Sequence, residues 1–321
     1  MSRIVIVILQ YNNSHDTIRC LESVKGLNWQ NFKAVVVDNA SEIQHLNNIR
    51  LFIESQEKMR ERRFKLILSK SNLGYAGGNN LGIKYALESG ADYVFILNPD
   101  TTVKSNLLTK LAETAKKNPK AGIVGATIDE GDRVINCGKI EWLKSELSHN
   151  KIKPITPASA LQNRGSLTFV NKSWDYNLKP KTYIIGAAML IKKEVIKKIG
   201  LFDERYFLYF EDADYCLRAS KAGYKLAIVP EAMVDHAVSA STSQLGSALL
   251  LRYHFRNAHL FNLKNGPWYI KFALPFWSFF ITIKQLIKIF FTPSRREISR
   301  AILAGVYDFY MGRFGKIKPN A

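Results

Sequence analysis

The chain has 321 residues, of which 47% are hydrophobic, and it carries a formal net charge of +19. This length and composition exclude a disordered or fibrous protein and predict one large domain with an appendage. Its three cysteines, Cys20, Cys137 and Cys216, are odd in number and lack paired spacing. They therefore argue against a disulfide framework or a zinc site and favour a reducing compartment.

Short β-branched runs alternate with helical stretches, a pattern typical of a layered α/β domain with a mostly parallel sheet. The N-terminal apolar run lacks a cleavage-site pattern and predicts a buried first strand of a chain that folds in the cytosol. In chain order the predicted elements are strand 4–9, helix 14–25, strand 33–37, helix 43–59, strand 64–68, helix 81–89, strand 93–97, helix 105–118 and strand 121–127.

Polar residues follow four of the predicted strands, at positions 11–13, 38–41, 71–74 and 98–100. In open α/β sheets, ligands bind at the carboxyl ends of the strands. The four strand ends therefore predict a single cleft of nucleotide size. Residues 128–180 are polar and proline-containing, and they predict an irregular loop or hairpin over this cleft before the α/β pattern resumes at Tyr183.

A glycine-rich run, Gly-Tyr-Ala-Gly-Gly-Asn-Asn at 74–80, stands between a predicted strand and the helix at 81–89. Glycine lets a backbone approach a ligand, and a helix N-terminus favours a negative group, so the run predicts a nucleotide-contacting loop. It matches neither the dinucleotide fingerprint nor the phosphate loop. A purely structural turn is an equal alternative.

The sequence Asn98-Pro99-Asp100 follows an apolar strand that would deliver Asp100 to the floor of the cleft. A carboxylate there suits a divalent cation that shares oxygen ligands with a diphosphate. The alternative is an ordinary type I turn. His236 would add an imidazole ligand suited to manganese, although an isolated histidine after a strand is more often an ordinary surface or core residue.

Acidic residues crowd one short stretch of this basic chain: Asp203, Glu204, Glu211, Asp212 and Asp214. Like charges this close raise the pKa of at least one carboxyl, and a carboxyl with a raised pKa can act as a general base. The alternative is an acidic first turn that stabilises a helix ending near Gly223.

Residues 246–321 carry 12 Lys and Arg against 2 Asp and Glu. Within them, residues 267–291 are aromatic and aliphatic, interrupted by Lys271, Lys284 and Lys288. The longest uncharged run is shorter than the roughly 20 residues of a spanning helix. The pattern favours a helix, or a helical pair broken near Pro275, that lies in an anionic membrane surface. Packing on the catalytic core or on a second subunit is the alternative.

Taken in order, these motifs resemble glycosyltransferase family 2, and more narrowly its rhamnosyltransferase-like branch, over about residues 3–260. The motifs are YNN at 11–13, VVDNAS at 36–41, NLGYAGGNNLGI at 72–83, NPDT at 98–101, GAAMLI at 186–191, FDERYFLYFEDADYCLRASKAGYKL at 202–226, and His236. The resemblance implies a GT-A fold, with a Rossmann-like, mostly parallel central sheet and flanking helices. It also implies an inverting, metal-dependent mechanism that uses a nucleotide-diphosphate sugar.

The resemblance further implies roles for individual residues. Asp212 matches the catalytic base, with Glu211 beside it, and Asp100 and His236 match the ligands of Mn²⁺ or Mg²⁺. Asn98 occupies the first position of the family's Asp-x-Asp motif, which leaves its contact with the metal open. The donor site would comprise Tyr11, Asn12, Asp38, Asn72, Gly77, Gly78, Asn79, Asn98 and Asp100, and the acceptor or sugar side would comprise Gly186 and Ala187.

These implications predict a catalytic domain at 1–245, a basic helical region at 246–321, and sugar transfer to a glycan or lipid-linked acceptor in cell-surface polysaccharide synthesis. Thymidine-diphosphate rhamnose is suggested by the branch; UDP-linked or other thymidine-linked sugars stay open, as does a homodimer. The alternatives are a catalytically silent nucleotide-sugar-binding homologue and a sugar nucleotidyltransferase. Nucleic-acid binding is disfavoured because the excess charge lies in an apolar tail while the cleft is acidic.

Overall fold

The computed structural model of the protein describes residues 1–59, 63–143, 146–152, 181–237 and 246–317. An eleven-stranded sheet forms the core of this part of the chain. Its strands are β1 (Ile4–Gln10), β2 (Phe32–Asp38), β3 (Phe64–Leu68), β4 (Tyr93–Leu97), β5 (Thr101–Val103), β6 (Ala121–Asp129), β7 (Val134–Glu141), β8 (Glu146–Ile152), β9 (Thr182–Tyr183), β10 (Ala188–Lys192) and β11 (Lys225–His236).

Helices cover both faces of the sheet and form a separate layer at the C-terminal end of the chain. They are α1 (Ser14–Lys25), α2 (Ile43–Lys58), α3 (Gly74–Glu88), α4 (Leu107–Lys117), α5 (Lys193–Ile199), α6 (Glu211–Lys221), α7 (Ser247–Asn265), α8 (Trp268–Phe291) and α9 (Arg296–Tyr310). A 3-10 turn at Pro293–Arg295 connects the last two helices.

The strand order is β3-β2-β1-β4-β10-β6-β11-β5. Strands β1 to β4 are parallel, as predicted, whereas β10 runs antiparallel to β4 and β6, so the complete sheet is mixed. The antiparallel direction of β10 pairs its first residue, Ala188, with Leu97 at the end of β4. In the same way β11 pairs His236 with Thr101 of β5. Residues distant in sequence thereby meet beside the carboxyl end of β4.

Strand β1 divides the core into two layers because successive side chains point to opposite faces of the sheet. Ile4, Ile6 and Ile8 pack with buried residues of α1, α2 and α4. Val5 and Val7 pack on the opposite face with residues of α3, α6 and α7. Both faces are covered, which explains why the first strand is apolar along nearly its whole length.

The start of α3 corrects the sequence prediction, because the helix begins at Gly74 and not at residue 81. Gly77 and Gly78 are therefore helical residues and not part of a loop. A Cβ on Gly78 would lie 2.3 Å from Cδ1 of Leu9 in β1. Gly78 therefore allows the helix to pack closely on the strand, which supports the structural alternative for the glycine-rich run.

The irregular region predicted at 128–180 begins with regular structure. β6 continues to Asp129, and β7 and β8 form an antiparallel hairpin. The hairpin alternative is therefore correct for this part of the insertion. Residues 153–180, which make up the rest of the predicted excursion, lie outside the described residues.

The C-terminal helices α7, α8 and α9 pack on one another. Arg252 of α7 forms an ion pair of 2.7 Å with buried Asp308 of α9. Helix α8 is continuous through Pro275, so the predicted alternative of a broken helical pair is wrong. One face of α8 is buried against its neighbours through Ile270, Leu274 and Ile281.

Candidate active site

A cavity of about 640 Å³ opens at the carboxyl ends of the central strands. Nine residues predicted for the site line it: Tyr11, Asn72, Asn98, Asp100, Gly186, Ala187, Glu211, Asp212 and His236. Five others are not among its lining residues: Asn12, Asp38, Gly77, Gly78 and Asn79. The strand ends thus meet at one cavity, as the sequence predicts, but not every polar residue in them faces it.

Asp38 and Asn12 hold the strand-end loops beside the cavity. The Asp38 carboxylate is buried and accepts hydrogen bonds of 3.0 Å from the side-chain amide of Gln10 and from the backbone N–H of Ser41. The Asn12 side-chain oxygen accepts a bond of 2.8 Å from the Glu42 N–H. These contacts fix the ends of β1 and β2 relative to each other.

Asn39, which was not among the predicted site residues, connects the ends of β2 and β3. Its amide donates to Oδ1 of Asn72 at 3.0 Å, and its oxygen accepts from the N–H of Leu73 at 2.9 Å. Asn39 and Asn72 both line the cavity. Asn39 lies within the VVDNAS motif, which was the available signal for it.

Tyr75 is a second residue that was missed. Its hydroxyl donates a hydrogen bond of 2.8 Å to the carbonyl oxygen of Gly186, so the first turn of α3 is joined to the segment that precedes β10. Burial and the charges of Glu211 and Asp212 raise the pKa of Tyr75 well above its ordinary value. Tyr75 is therefore a hydrogen-bond donor in the cavity and not an acid.

Asp100 and His236 meet at the cavity, as predicted. Oδ1 of Asp100 lies 3.2 Å from Nε2 of His236, and both atoms are buried without a well-formed hydrogen bond. A carboxylate and an imidazole directed at each other in this way fit a shared Mn²⁺ or Mg²⁺ ion. No group of three metal-binding side chains is preassembled among the described residues, so a cation here would need further oxygen ligands.

Glu130 also lies at this site, although sequence reasoning placed it in an irregular insertion. Its Oε1 is 3.4 Å from Nδ1 of His236, while Arg133 forms a close ion pair with its other oxygen. A carboxylate on the second ring nitrogen orients an imidazole that binds a metal through the first. Glu130 therefore has the geometry of a residue that positions His236.

Glu211 and Asp212 form the first turn of α6 at the opposite wall. Asp212 accepts hydrogen bonds from the backbone N–H groups of Gly186 at 3.0 Å and Ala213 at 2.7 Å. Burial raises the pKa of Asp212 to about 6, although these N–H groups oppose the shift. Burial and the neighbouring Asp212 charge raise the pKa of Glu211 well above its usual range, in the predicted direction. The N–H groups of Gly186 and Ala213 favour the ionised form of Asp212, and that charge favours the neutral form of Glu211.

The other predicted acidic residues have structural partners. Buried Asp214 accepts from Arg218 at 2.8 Å and from Lys264 at 2.9 Å. Burial by itself would raise the pKa of Asp203. Hydrogen bonds from Arg205 and Lys264 outweigh this effect and hold the pKa below its usual value. Glu204 accepts a hydrogen bond from the side-chain amide of Asn80. The acidic stretch therefore separates into Asp203 and Asp214, which pair with cations, Glu204, which pairs with an amide, and the Glu211–Asp212 pair.

Residues 206–210 lead into α6 with a strained backbone. Phe207, Tyr209 and Phe210 have φ values of 61°, 71° and 75°, a region that side chains with a Cβ rarely adopt. Asn257 of α7, which is fully buried, donates 2.7 Å hydrogen bonds to the carbonyl oxygens of residues 206 and 208. Such strain persists where surrounding contacts over-determine the conformation. Helix α7 therefore helps to fix the segment that carries the acidic pair.

The site thus combines a carboxylate–imidazole pair beside the strand ends with a carboxylate pair at a helix N-terminus, an arrangement expected of a glycosyltransferase with the GT-A fold. The family model for glycosyl transferase family 2 matches residues 5–200. The chain therefore belongs to glycosyltransferase family 2, and the predicted resemblance is confirmed.

Three curated relatives are similar at 25–26% identity. The low-salt glycan biosynthesis hexosyltransferase Agl10 of Haloferax volcanii is 25% identical over 79% of this chain and 74% of its own length. The N-acetylglucosaminyl-diphospho-decaprenol L-rhamnosyltransferase of Mycobacterium tuberculosis is 26% identical over 59% and 64%, respectively. The dTDP-rhamnosyl transferase RfbF of Shigella flexneri is 25% identical over 82% and 81%.

Among solved structures, the mannosyltransferase PcManGT of Pyrobaculum calidifontis, in complex with GDP-mannose and Mn²⁺, is similar with a TM-score of 0.57. The two chains are 15% identical, and the match covers 97% of this chain and 88% of that one. This similarity confirms the predicted GT-A fold.

Proposed function

We propose that this protein is an inverting glycosyltransferase that moves a sugar from a nucleotide-diphosphate donor to a hydroxyl group of a glycan or lipid-linked acceptor. The observation that carries the proposal is Asp212, a half-buried carboxylate that lines the cavity and whose pKa desolvation raises to about 6. A general base works best with a pKa near the operating pH. Burial and the Asp212 charge raise the pKa of Glu211, which favours the neutral form of Glu211 beside this base.

Asp212 would remove the proton of the acceptor hydroxyl while that oxygen attacks the anomeric carbon. The new carbon–oxygen bond forms as the bond to the diphosphate oxygen breaks, and the nucleoside diphosphate leaves with the electron pair. Attack from the face opposite to the leaving group inverts the configuration in one displacement. The N–H groups of Gly186 and Ala213 hold the Asp212 carboxylate in position.

Asp100 and His236 are the residues that would hold a divalent cation, since their facing atoms are buried and fit a shared ion. A bound Mn²⁺ or Mg²⁺ would offset the charge that develops on the leaving diphosphate. Tyr11, Asn39 and Asn72, which line the other side of the cavity, would contact the nucleotide.

The names of the relatives support a class of donor and acceptor. Two are rhamnosyltransferases, of which one is named for a dTDP-linked donor and the other for a lipid-diphosphate acceptor. By this analogy the donor here is a dTDP- or UDP-linked sugar, with rhamnose the first candidate. The reaction would belong to cell-surface polysaccharide synthesis.

Helix α8 supports a location at the inner face of the cell membrane. It is long and apolar enough to span a membrane by length and composition, but one face is packed on α7 and α9. The opposite face, here called the aromatic face, is exposed and carries Trp268, Phe272, Phe276, Phe279, Phe280, Ile283, Ile287 and Phe290. At 100° per residue, Lys271 borders one side of this face and Lys284 borders the other. This is the arrangement of a helix lying in an anionic surface with its lysines at the headgroups.

The deciding experiment is a thermal-shift titration with UDP, dTDP, GDP, ADP and CMP, each with and without Mn²⁺, on the wild type and on Asp100→Ala. One nucleoside diphosphate should raise the Tm only when Mn²⁺ is present, and Asp100→Ala should lose this increase. Lys104→Ala, at an exposed position directly after β5, is the matched control. If no nucleotide raises the Tm in a metal-dependent way, the chain is a silent homologue and the proposed function is wrong.

A further inference from the structure

The last described residues of the chain return to the cavity. Lys316 and Ile317 line it, although they lie 104 and 105 positions after Asp212 in the sequence. Ile317 is buried with Phe207 and Tyr253 in one apolar cluster. Its backbone N–H donates to the Tyr253 hydroxyl at 2.8 Å. The helical region at 246–317 thus contributes a wall of the cavity in addition to its external surface.

Arg256 of α7 fastens this terminal segment to the catalytic loop. Its guanidinium is fully buried and donates to the carbonyl oxygens of Gly315 at 2.8 Å and Tyr206 at 3.1 Å. The Gly315 N–H in turn donates to the carbonyl oxygen of Arg205 at 2.9 Å. The backbone on the N-terminal side of Lys316 is therefore fixed by two hydrogen bonds, and that of Ile317 by a third.

Burial of Arg256 is energetically costly, since its guanidinium donates to neutral acceptors, four backbone carbonyl oxygens and the side-chain oxygen of Asn257. Burial lowers the pKa of Arg256 to about 10. A buried cation is tolerated where its hydrogen bonds are satisfied. Here those bonds join residues 205–206 to residues 313–315. They hold the terminal segment against the loop that leads to Glu211 and Asp212.

Lys316 is the one Lys or Arg among the described residues that line the cavity, which is otherwise acidic through Asp100, Glu130, Glu211 and Asp212. It is exposed, and its backbone is held in place on both sides. A cation held at the edge of an acidic cavity would attract an anionic group of a ligand there, and a phosphate is the chemistry that suits a lysine ammonium.

Two phosphate groups could meet this lysine, that of the donor and that of the acceptor. Asp100 and His236, which would hold the donor diphosphate through a cation, come from the ends of β4 and β11. Lys316 instead precedes Ile317, which packs against Phe207 on the segment that leads directly to the catalytic carboxylates. This position favours the acceptor.

We propose that Lys316 binds the phosphate of a phosphate-linked acceptor, and that Lys316 and Ile317 form part of the acceptor wall of the cavity. This inference rests on the proposed glycosyl transfer. It assigns to the C-terminal region a role in acceptor selection that is separate from contact with a membrane.

The test measures binding of geranyl diphosphate, a soluble prenyl diphosphate, by calorimetry in the presence of Mn²⁺ and a saturating amount of the nucleoside diphosphate that stabilises the protein. Wild type, Lys316→Ala and Arg313→Ala are compared. Arg313 is an exposed cation on the same segment that does not line the cavity, so it controls for net charge. Loss of one charge-assisted contact should raise the Kd about five- to tenfold in Lys316→Ala, and Arg313→Ala should resemble wild type.

A second arm measures the Kd of the nucleoside diphosphate itself. It should be the same in wild type and Lys316→Ala, because the donor phosphates lie elsewhere. If Lys316→Ala weakens nucleotide binding instead, Lys316 belongs to the donor site and the inference is wrong. Equal binding of geranyl diphosphate by Lys316→Ala and wild type, or none by wild type, also overturns it. Absence of any metal-dependent nucleotide binding would refute the proposed function separately.

Discussion

The backbone N–H of Gly186 donates a 3.0 Å hydrogen bond to Oδ2 of Asp212, and this bond joins the segment before β10 to the first turn of α6. Gly186 is in turn held by Tyr75, whose hydroxyl donates to the Gly186 carbonyl oxygen. The orientation of the proposed base thus depends on three separate elements. Its carboxylate also lies at a helix N-terminus, where the helix dipole favours the ionised form.

Substitution of the acidic pair should distinguish its two members. Asp212→Asn removes the base and should lower kcat by about 100- to 10,000-fold. Glu211→Gln replaces a carboxyl whose raised pKa favours the neutral form with a neutral amide of similar shape, so kcat should fall less than about tenfold. Both variants should bind the nucleoside diphosphate with Mn²⁺, as measured by thermal shift. If Glu211→Gln lowers kcat more than Asp212→Asn does, Glu211 and not Asp212 is the general base.

The pH dependence of transfer should report the same carboxylate. Asp212 must be deprotonated to accept a proton, and its pKa is raised to about 6. Therefore kcat/KM should be constant well above pH 6 and should fall about tenfold per pH unit below it. Nucleotide binding, measured over the same range, separates this effect from loss of donor affinity. A profile that stays flat down to pH 5 would exclude Asp212 as the base.

The first half of the sheet was predictable because its strands are consecutive and strongly apolar. Strands 64–68 and 93–97 match β3 and β4, and strand 4–9 ends one residue before β1. The start of α3 was not predictable in this way, because Gly77 and Gly78 have poor helix propensity, whereas the helix is supported by the packing of Gly78 on Leu9 of β1. Local propensity does not include such tertiary contacts.

Site residues that lie in sequence motifs were predictable. The roles of residues that depend on partners distant in sequence were less so. Asp100, His236 and Asp212 came from motif resemblance, and the structure brings them to one cavity. Asp214 was grouped with the candidate bases because it is close to them in sequence. Its ion-pair partner Lys264 lies 50 residues away and could not be identified from the sequence. Glu130 was missed because it lies where the α/β pattern stops.

Gly74 should be intolerant of a side chain. Its φ is +70°, and a Cβ there would lie 2.3 Å from the carbonyl oxygen of Phe207. Gly74→Ala should lower the free energy of unfolding by more than about 3 kcal/mol, since left-handed strain adds to a backbone clash. Gly90 is the matched control, because its φ is +76° and nothing lies within 4 Å of its Cβ position. Gly90→Ala should cost only about 1 kcal/mol. Equal losses in chemical denaturation would refute the contact between α3 and residue 207.

The aromatic face of α8 should determine binding to anionic vesicles. Phe272, Phe276 and Phe279 are 72%, 59% and 62% exposed, so their replacement by serine removes apolar surface without opening the core. Each buried aromatic side chain contributes roughly 1.5–3 kcal/mol, so the triple variant should bind vesicles of phosphatidylglycerol and phosphatidylcholine at least about 100-fold more weakly in sedimentation. Leu51→Ser, on α2 and 64% exposed, is the control.

The salt dependence of vesicle binding and the oligomeric state of the protein distinguish a membrane-binding aromatic face from a dimer interface. Lysines at the headgroups should make wild-type binding weaker at high salt and weaker on phosphatidylcholine alone. A second copy of the chain on the aromatic face would instead give a dimer that the triple variant dissociates, with no vesicle binding in either protein. A helix that spans the bilayer would keep the triple variant bound until detergent is added. Either result would reject a helix that lies in the plane of the membrane surface.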